Sequence, residues 1–241
     1  MNSDRDILRS TYDRRASWFD GFVRWASLGR DRRYREAAVV ALALRPGDRV
    51  LDLGCGTGLN LPLLAEGVGE KGRVVGVDLS GGMLRRARGR GIGPIGPIRP
   101  ILLQADGSRF YLRPGSLDAV LSTYTLTTLP RWPNVLDGLL AALKPGGRIA
   151  ILDDRLPPGW FINPAFMLKM TRREGWGGRV TAIVSSLEKS CGDVRIENFH
   201  GGLIYLASGT CRGEIPTAKS QIPTKSQLPN SNNDGGRGPN P

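Results

Sequence analysis

The stretch Arg49-Val50-Leu51-Asp52-Leu53-Gly54-Cys55-Gly56-Thr57-Gly58-Leu59-Asn60 limits the folds open to this chain more than any other. Val50, Leu51 and Leu53 form an apolar run bounded by turn residues, as in a central parallel strand. Gly54, Gly56 and Gly58 follow at every second position, so the backbone can turn sharply and approach a ligand closely. Leu59, Leu61, Leu63 and Leu64 then fall at spacings a packed helix uses, predicting a helix over 59–66. Strand, glycine turn and helix in that order predict an α/β chain with a ligand at the turn.

Two common glycine-turn sites do not fit. A dinucleotide fingerprint G-x-G-x-x-G would need glycine at Leu59 or at Leu61, counting from Gly54 or Gly56. A P-loop needs Gly-Lys-Ser/Thr, and none follows. The pattern is D-x-G-x-G-x-G, beginning at Asp52. It resembles the first motif of the class I S-adenosylmethionine-dependent methyltransferases.

Three later stretches extend the resemblance in the same order and spacing. Val74-Val75-Gly76-Val77-Asp78-Leu79-Ser80 reads as a second buried strand ending in an acid. An acid at a strand end about 20 residues past such a turn can accept from ribose hydroxyls. Gln104-Ala105-Asp106-Gly107 is similar to the family's adenine-contacting turn, with Asp106 accepting from the exocyclic amine. Leu143-Lys144-Pro145-Gly146-Gly147 is similar to the L-K-P-G-G turn before strand five.

The resemblance covers roughly residues 45 to 155 and implies S-adenosylmethionine as cofactor. It implies a cofactor-binding set of Tyr12, Asp52, Gly54, Cys55, Gly56, Thr57, Gly58, Asp78, Leu79, Met83, Asp106, Gly107 and Thr123. The implied fold is α/β: a Rossmann-like, doubly wound, mostly parallel seven-stranded sheet with an antiparallel last strand and a helical N-terminal lid. The expected units are the lid at 1–36, the methyltransferase domain at 37–211 and a disordered tail at 212–241.

Before the glycine turn, 11–28 predicts one helical segment with Trp18, Phe22 and Trp25 on a shared face, ended by Gly29. That face suits either packing on the core or a lid over a ligand. Tyr12-Asp13-Arg14-Arg15-Ala16-Ser17-Trp18-Phe19-Asp20 is similar to the Y-D-x-x-A-x-x-Y-D opening of the ubiquinone/menaquinone-biosynthesis type and of bacterial phospholipid N-methyltransferases. The resemblance puts Tyr12 near the cofactor's methionine end. Phe19 replaces the usual second tyrosine and cannot donate a hydrogen bond.

Past Asp78, Ser80 is a predicted N-cap for the next helix. Met83 packs either on an adenine face or in the core. The Gly/Pro run from Gly91 to Pro100 predicts an extended loop. Leu117 to Ser122 predicts strand four, a helix follows from Trp132 to Leu143, and Arg148 to Leu152 predicts strand five. Thr127 and Thr128 stand where many relatives have a histidine, which excludes imidazole chemistry from that loop. Aromatic and basic residues over 156–190 read as a pocket-shaping insertion, and 194–199 with 202–207 as two closing strands. From Arg212 onward a near-repeat rich in Pro, Ser and Thr has no apolar pattern to bury.

Methyl transfer uses an activated sulfonium donor, so the protein chiefly aligns the reactants and excludes water. A base is needed only for a nucleophile that starts protonated. Asp153, Asp154 and Asp20 are base candidates, Tyr12 and Tyr124 candidates to orient a substrate, and His200 reads as structural. None is named catalytic.

Composition narrows the acceptor. The net charge of +12, from 34 Lys and Arg against 22 Asp and Glu, raises the odds of an anionic partner, although a solvated basic surface is the commoner cause of such a balance. Nucleic acid is disfavoured, because no RNA-binding module and no N-P-P-Y/F motif accompany the charge. The leading reading is methyl transfer to a small-molecule or lipid-like acceptor at an amine, hydroxyl or activated ring carbon. RNA or protein methylation and a catalytically silent cofactor-binding regulator are the alternatives. Peripheral membrane contact through the aromatic and arginine-rich N-terminus is left open. Three scattered cysteines and no secretory apolar region predict cytoplasm. One histidine with those cysteines predicts no metal site. Oligomeric state is not legible.

Overall fold

The computed structural model describes residues 4–90, 98–129, 131–155 and 176–213. Their seven strands are β1 (Arg49–Leu53), β2 (Arg73–Asp78), β3 (Ile101–Gln104), β4 (Leu117–Thr123), β5 (Leu143–Asp154), β6 (Cys191–Phe199) and β7 (Ile204–Cys211). They form one sheet in the order β3-β2-β1-β4-β5-β7-β6. The first five pair in parallel, and β7 runs antiparallel to both β5 and β6. This is the expected fold. The strand order reverses between β1 and β4, which opens a crevice at their C-terminal ends.

The described helices are α1 (Asp4–Arg15), α2 (Phe19–Ala26), α3 (Asp31–Ala41), α4 (Leu61–Val68), α5 (Gly81–Gly89), α6 (Trp132–Ala142) and α7 (Trp176–Ser190). Strand residues alternate between two apolar clusters because successive side chains leave opposite faces. Leu51, Val120, Ile149, Ile151 and Tyr205 pack with Leu136 and Leu139 of α6 and Ile183 and Leu187 of α7. Val50, Val74, Leu121, Ala150 and Leu206 pack with Ala38 of α3, Leu64 of α4 and Leu84 of α5. Helices thus cover both faces, as the near-continuous apolar strands demand.

Several expectations need correction. The helix predicted over 11–28 is broken at Ala16–Trp18. Arg86 Nη1 donates to the Ser17 carbonyl at 2.8 Å, a partner from outside the helix ladder. The helix after the glycine turn begins at Leu61, because the side chain of Asn60 turns inward instead of capping it. Strand five is longer at both ends than 148–152. Helix α3 crosses the expected 36/37 boundary without a break. The residues 91–97, 156–175 and 214–241 of the predicted loop, insertion and tail lie outside the described residues.

Candidate functional site

The glycine turn bends where β1 ends. Gly54, Gly56 and Gly58 all have positive φ, at 70°, 55° and 82°. A Cβ on Gly54 would stand 2.0 Å from Thr125 Oγ1, and one on Gly58 2.9 Å from Leu61 Cδ1. Only glycine fits either position without displacing a neighbour.

The turn is tied to the end of β2. Gly54 N and Cys55 N donate to the Val77 carbonyl at 2.8 and 3.0 Å. Gly56 N donates to Asp78 Oδ2 at 2.9 Å, and Ser80 N donates to Asp78 Oδ1 at 2.8 Å. Each carboxylate oxygen therefore holds one backbone N–H and keeps capacity for a further donor. Burial raises the Asp78 carboxyl above the usual range, against those two amide bonds. Leu79 follows, its carbonyl accepting from Gln104 Nε2. Ser80 Oγ accepts from Met83 N at 3.0 Å, so the predicted N-cap is present, and Met83 itself is buried.

Beneath the turn lies a polar network missing from the sequence reading. Asp52 is fully buried and accepts from Asn60 Nδ2 at 3.1 and 3.2 Å. Asn60 Nδ2 also donates to Thr123 Oγ1 at the end of β4. Arg35 of α3 donates to Asn60 Oδ1 at 3.0 Å, to Thr123 Oγ1 at 2.9 Å and to Asp31 Oδ2 at 2.7 Å. Its guanidinium lies 5.3 Å from the centre of the Tyr124 ring. Burial raises Asp52 to about 7, opposed by the Asn60 hydrogen bond and by the Arg35 charge. The local signal for Arg35 was faint: a charge one residue past buried Tyr34, with Asp31 four residues earlier on the same face.

The N-terminal helices clasp the same loops. Asp13 Oδ1 accepts from Ser80 Oγ at 2.6 Å and from Gly82 N at 2.8 Å. Asp20 Oδ1 accepts from Thr57 Oγ1 at 2.5 Å, and Asp20 is also paired with Arg90. Tyr12 sits beside Asp13, its ring edge-on to Phe19 at 6.1 Å. A cleft of about 690 Å³ lies between the N-terminal helices and α5, lined by Asp13, Ser17, Asp20, Arg85, Arg86 and Arg90 among others.

Asp106 and Gly107 lie just past β3. Asp106 Oδ1 accepts from Ser108 N and Oγ, and a Cβ on Gly107 would meet Leu53 Cδ1 at 2.9 Å. The structure thus brings Asp52, the turn from Gly54 to Gly58, Asp78, Leu79, Asp106, Gly107 and Thr123 to one edge of the sheet. Tyr12 packs edge-on against Phe19 in the N-terminal helices, and Met83 is buried in the core.

The base candidates separate. Asp20 is held by Thr57 and Arg90. Asp153 is 1% exposed and accepts from Thr127 N at 3.1 Å and Asp154 N at 3.0 Å. Burial raises it to about 6. His200 lies in the 3-10 turn between β6 and β7 at φ 52°, with Nδ1 buried and unbonded.

A methyltransferase-domain family model matches residues 50–147. A 2-phytyl-1,4-naphtoquinone methyltransferase of Synechococcus elongatus is 36% identical over 152 residues, covering 63% of this chain and 65% of that protein. Residues 50–147 therefore form a methyltransferase domain of the class I S-adenosylmethionine-dependent kind.

The chain also aligns with a demethylmenaquinone methyltransferase of Desulfitobacterium hafniense. Those two are 26% identical over 226 residues, 84% of this chain and 88% of the relative. The chain spans just under two thirds of the Synechococcus protein's length. The fold recurs in a solved methyltransferase from Aquifex aeolicus, with TM-score 0.54, 22% identity and coverage of 73% of this chain and 89% of that one. It recurs in a Haemonchus contortus phosphoethanolamine N-methyltransferase solved with phosphomonomethylethanolamine and S-adenosylhomocysteine. There the TM-score is 0.53 at 24% identity, over 68% of this chain and 38% of that one. Among the described residues of this chain, no helix is long and apolar enough to cross a membrane, and no cluster of acids, cysteines and histidine is able to hold a metal.

Proposed function

We propose that this chain transfers the methyl group of S-adenosylmethionine to a small lipid-like acceptor, foremost a ring carbon of a naphthoquinol bearing an isoprenoid tail. The observation that carries the reading is the junction of Asp78 with the glycine turn at the reversal of strand order. In this reading Asp78 uses its remaining acceptor capacity for the ribose hydroxyls. The backbone of Gly54 to Gly58 runs beside the methionine portion, and Asp106 receives the adenine amine. Thr123 and Tyr12 border the sulfonium, and residues 1–36 act as a lid on the 37–211 domain. The activities of the Synechococcus and Desulfitobacterium relatives support the acceptor class.

The chemistry asks little of acid–base groups until the end. A nucleophilic ring carbon forms the new bond to the methyl carbon as the sulfur–carbon bond breaks, and the sulfonium leaves as a neutral thioether. The ring then loses its proton. A quinone ring is electron-poor, so the acceptor must enter as the reduced quinol. The protein's contribution is alignment and exclusion of water. Asp153 is enclosed beneath Thr127 and is not assigned as the base.

The test is an acceptor screen with methyl-labelled S-adenosylmethionine against membrane lipid extract, soluble metabolites and RNA. Label should enter the lipid fraction, and only when a reductant keeps quinones reduced. Label in RNA alone, or in no fraction, rejects the reading.

A further inference from the structure

We propose that α2 and the turn after it form a docking surface for an anionic lipid bilayer. Its functional meaning rests on the lipid-like acceptor proposed above. Trp18 is 46% exposed, Trp25 68% and Leu28 70%. Trp18 meets Phe22 edge-on at 5.6 Å, and Phe22 meets Trp25 at 6.3 Å. These contacts line the rings into a ridge along one side of α2. Indole rings, apolar with one polar N–H, favour the interface between headgroups and acyl chains. At the end of the ridge Leu28 adopts a φ of 53° ahead of Gly29, conformationally costly for a branched side chain that gains no burial here.

Charge identifies the occupant. Within the same helices most acids are engaged elsewhere. Asp13 bonds Ser80 and Gly82, Asp20 pairs with Arg90, Asp31 with Arg35 and Glu36 with Arg32. Arg14, Arg24, Arg30 and Arg33 are exposed and form no ion pair with an acid among the described residues. Exposed rings and leucine with unneutralised guanidinium groups match a surface that is negative outside and apolar just below. Single-stranded nucleic acid would also meet the charge. However, Trp18 and Phe22 cross at 89° and Phe22 and Trp25 at 34°, so the ridge does not present a run of parallel faces for successive stacked bases.

The ridge also has a route to the cleft. Helix α2 carries Asp20, whose carboxylate holds Thr57 of the glycine turn. Docking through the ridge therefore brings the rim of the cofactor cleft to the membrane, where an acceptor with an isoprenoid tail resides.

The experiment uses the full chain with extruded vesicles of pure phosphatidylcholine or of phosphatidylcholine with phosphatidylglycerol, read by sedimentation and tryptophan emission. Binding should require the anionic lipid and weaken as salt rises past about 0.1 M. Trp18→Ala/Trp25→Ala and Arg24→Gln/Arg30→Gln should each lower vesicle affinity by roughly tenfold or more. Both variants should keep wild-type affinity for S-adenosylhomocysteine by calorimetry, which shows that they fold. No sedimentation with anionic vesicles at low salt overturns the proposal. So does undiminished binding by both variants, or binding to a single-stranded RNA oligomer without binding to vesicles. Vesicle binding by a wild type that ignores S-adenosylhomocysteine supports the docking surface and rejects the methyl-transfer reading.

Discussion

Arg35 Nη1 donates a 2.9 Å hydrogen bond to Thr123 Oγ1, joining an N-terminal helix to the tip of β4 across 88 positions of chain. The same nitrogen holds Asn60, which holds Asp52. One buried cation therefore supports the floor of the glycine turn from below. Two predictions concern the groups it connects, a third the acid at the end of β2, and a fourth the N-terminal helices.

Replacing Arg35 should be among the most damaging single changes in the domain. Arg35→Met leaves the Asp31 carboxylate buried without its partner, which typically costs about 3–5 kcal/mol. Urea unfolding should show that loss, and Arg35→Met/Asp31→Asn should recover part of it. A midpoint unchanged in the single variant would contradict the network.

Asp52 should make stability depend on pH in a particular direction. Its folded pKa, about 7, lies above the unfolded value near 3.8, so the fold favours the protonated acid. The stabilisation is fully present below pH 4 and is lost as pH rises through 7. Asp52→Asn lacks this slope. The stability difference, variant minus wild type, should grow by a few kcal/mol at most between pH 4 and 8. Parallel curves for the two proteins would show that Asp52 ionises freely.

In the proposed cofactor pose Asp78 accepts from both ribose hydroxyls, so Asp78→Ala should weaken S-adenosylhomocysteine binding by about 1–3 kcal/mol. Calorimetry on the folded variant reads this directly. Equal affinity, or tighter binding of NAD than of S-adenosylhomocysteine by the wild type, would remove Asp78 from the ribose site.

Asp13→Ala should loosen the lid without harming the sheet. It removes the acceptor for Gly82 N and Ser80 Oγ, worth about 1 kcal/mol for a lost cap. Those hydrogen bonds hold the Asp13 carboxyl below its usual range, so the clasp is complete above pH 4 and fails as pH falls through the folded value. Limited proteolysis should cut the variant faster within α1 and α2 while the rest resists. Wild-type cleavage rates would show that Asp13 does not hold the lid.

The sheet and the glycine turn with its tie to Asp78 were legible because their signals are local. Asp52 through Gly58 and Val74 through Asp78 each carry their meaning within a few residues, through apolar runs and glycines. What stayed hidden depends on distant partners. The break at Ser17 needs Arg86, 69 positions away, and no glycine or proline marks it. Asn60 reads as a helix start until Asp52 and Thr123 are folded around it. Asp153 reads as a base candidate just past predicted strand five, and only the folded chain buries it and brings Thr127 N to its carboxylate.

The division of the buried ion network between two stretches of chain limits how such proteins can be recombined. Arg35 stands ahead of the first strand, whereas the acid it helps to neutralise lies within it. A chimera joining these seven strands to a relative's N-terminal helices would inherit Asp52 without its cation unless a basic residue arrived in register. The helices and the sheet are thus not interchangeable cassettes. Swapping the lid to alter acceptor choice requires α3 to travel with the strands, with the crossover placed before Asp31.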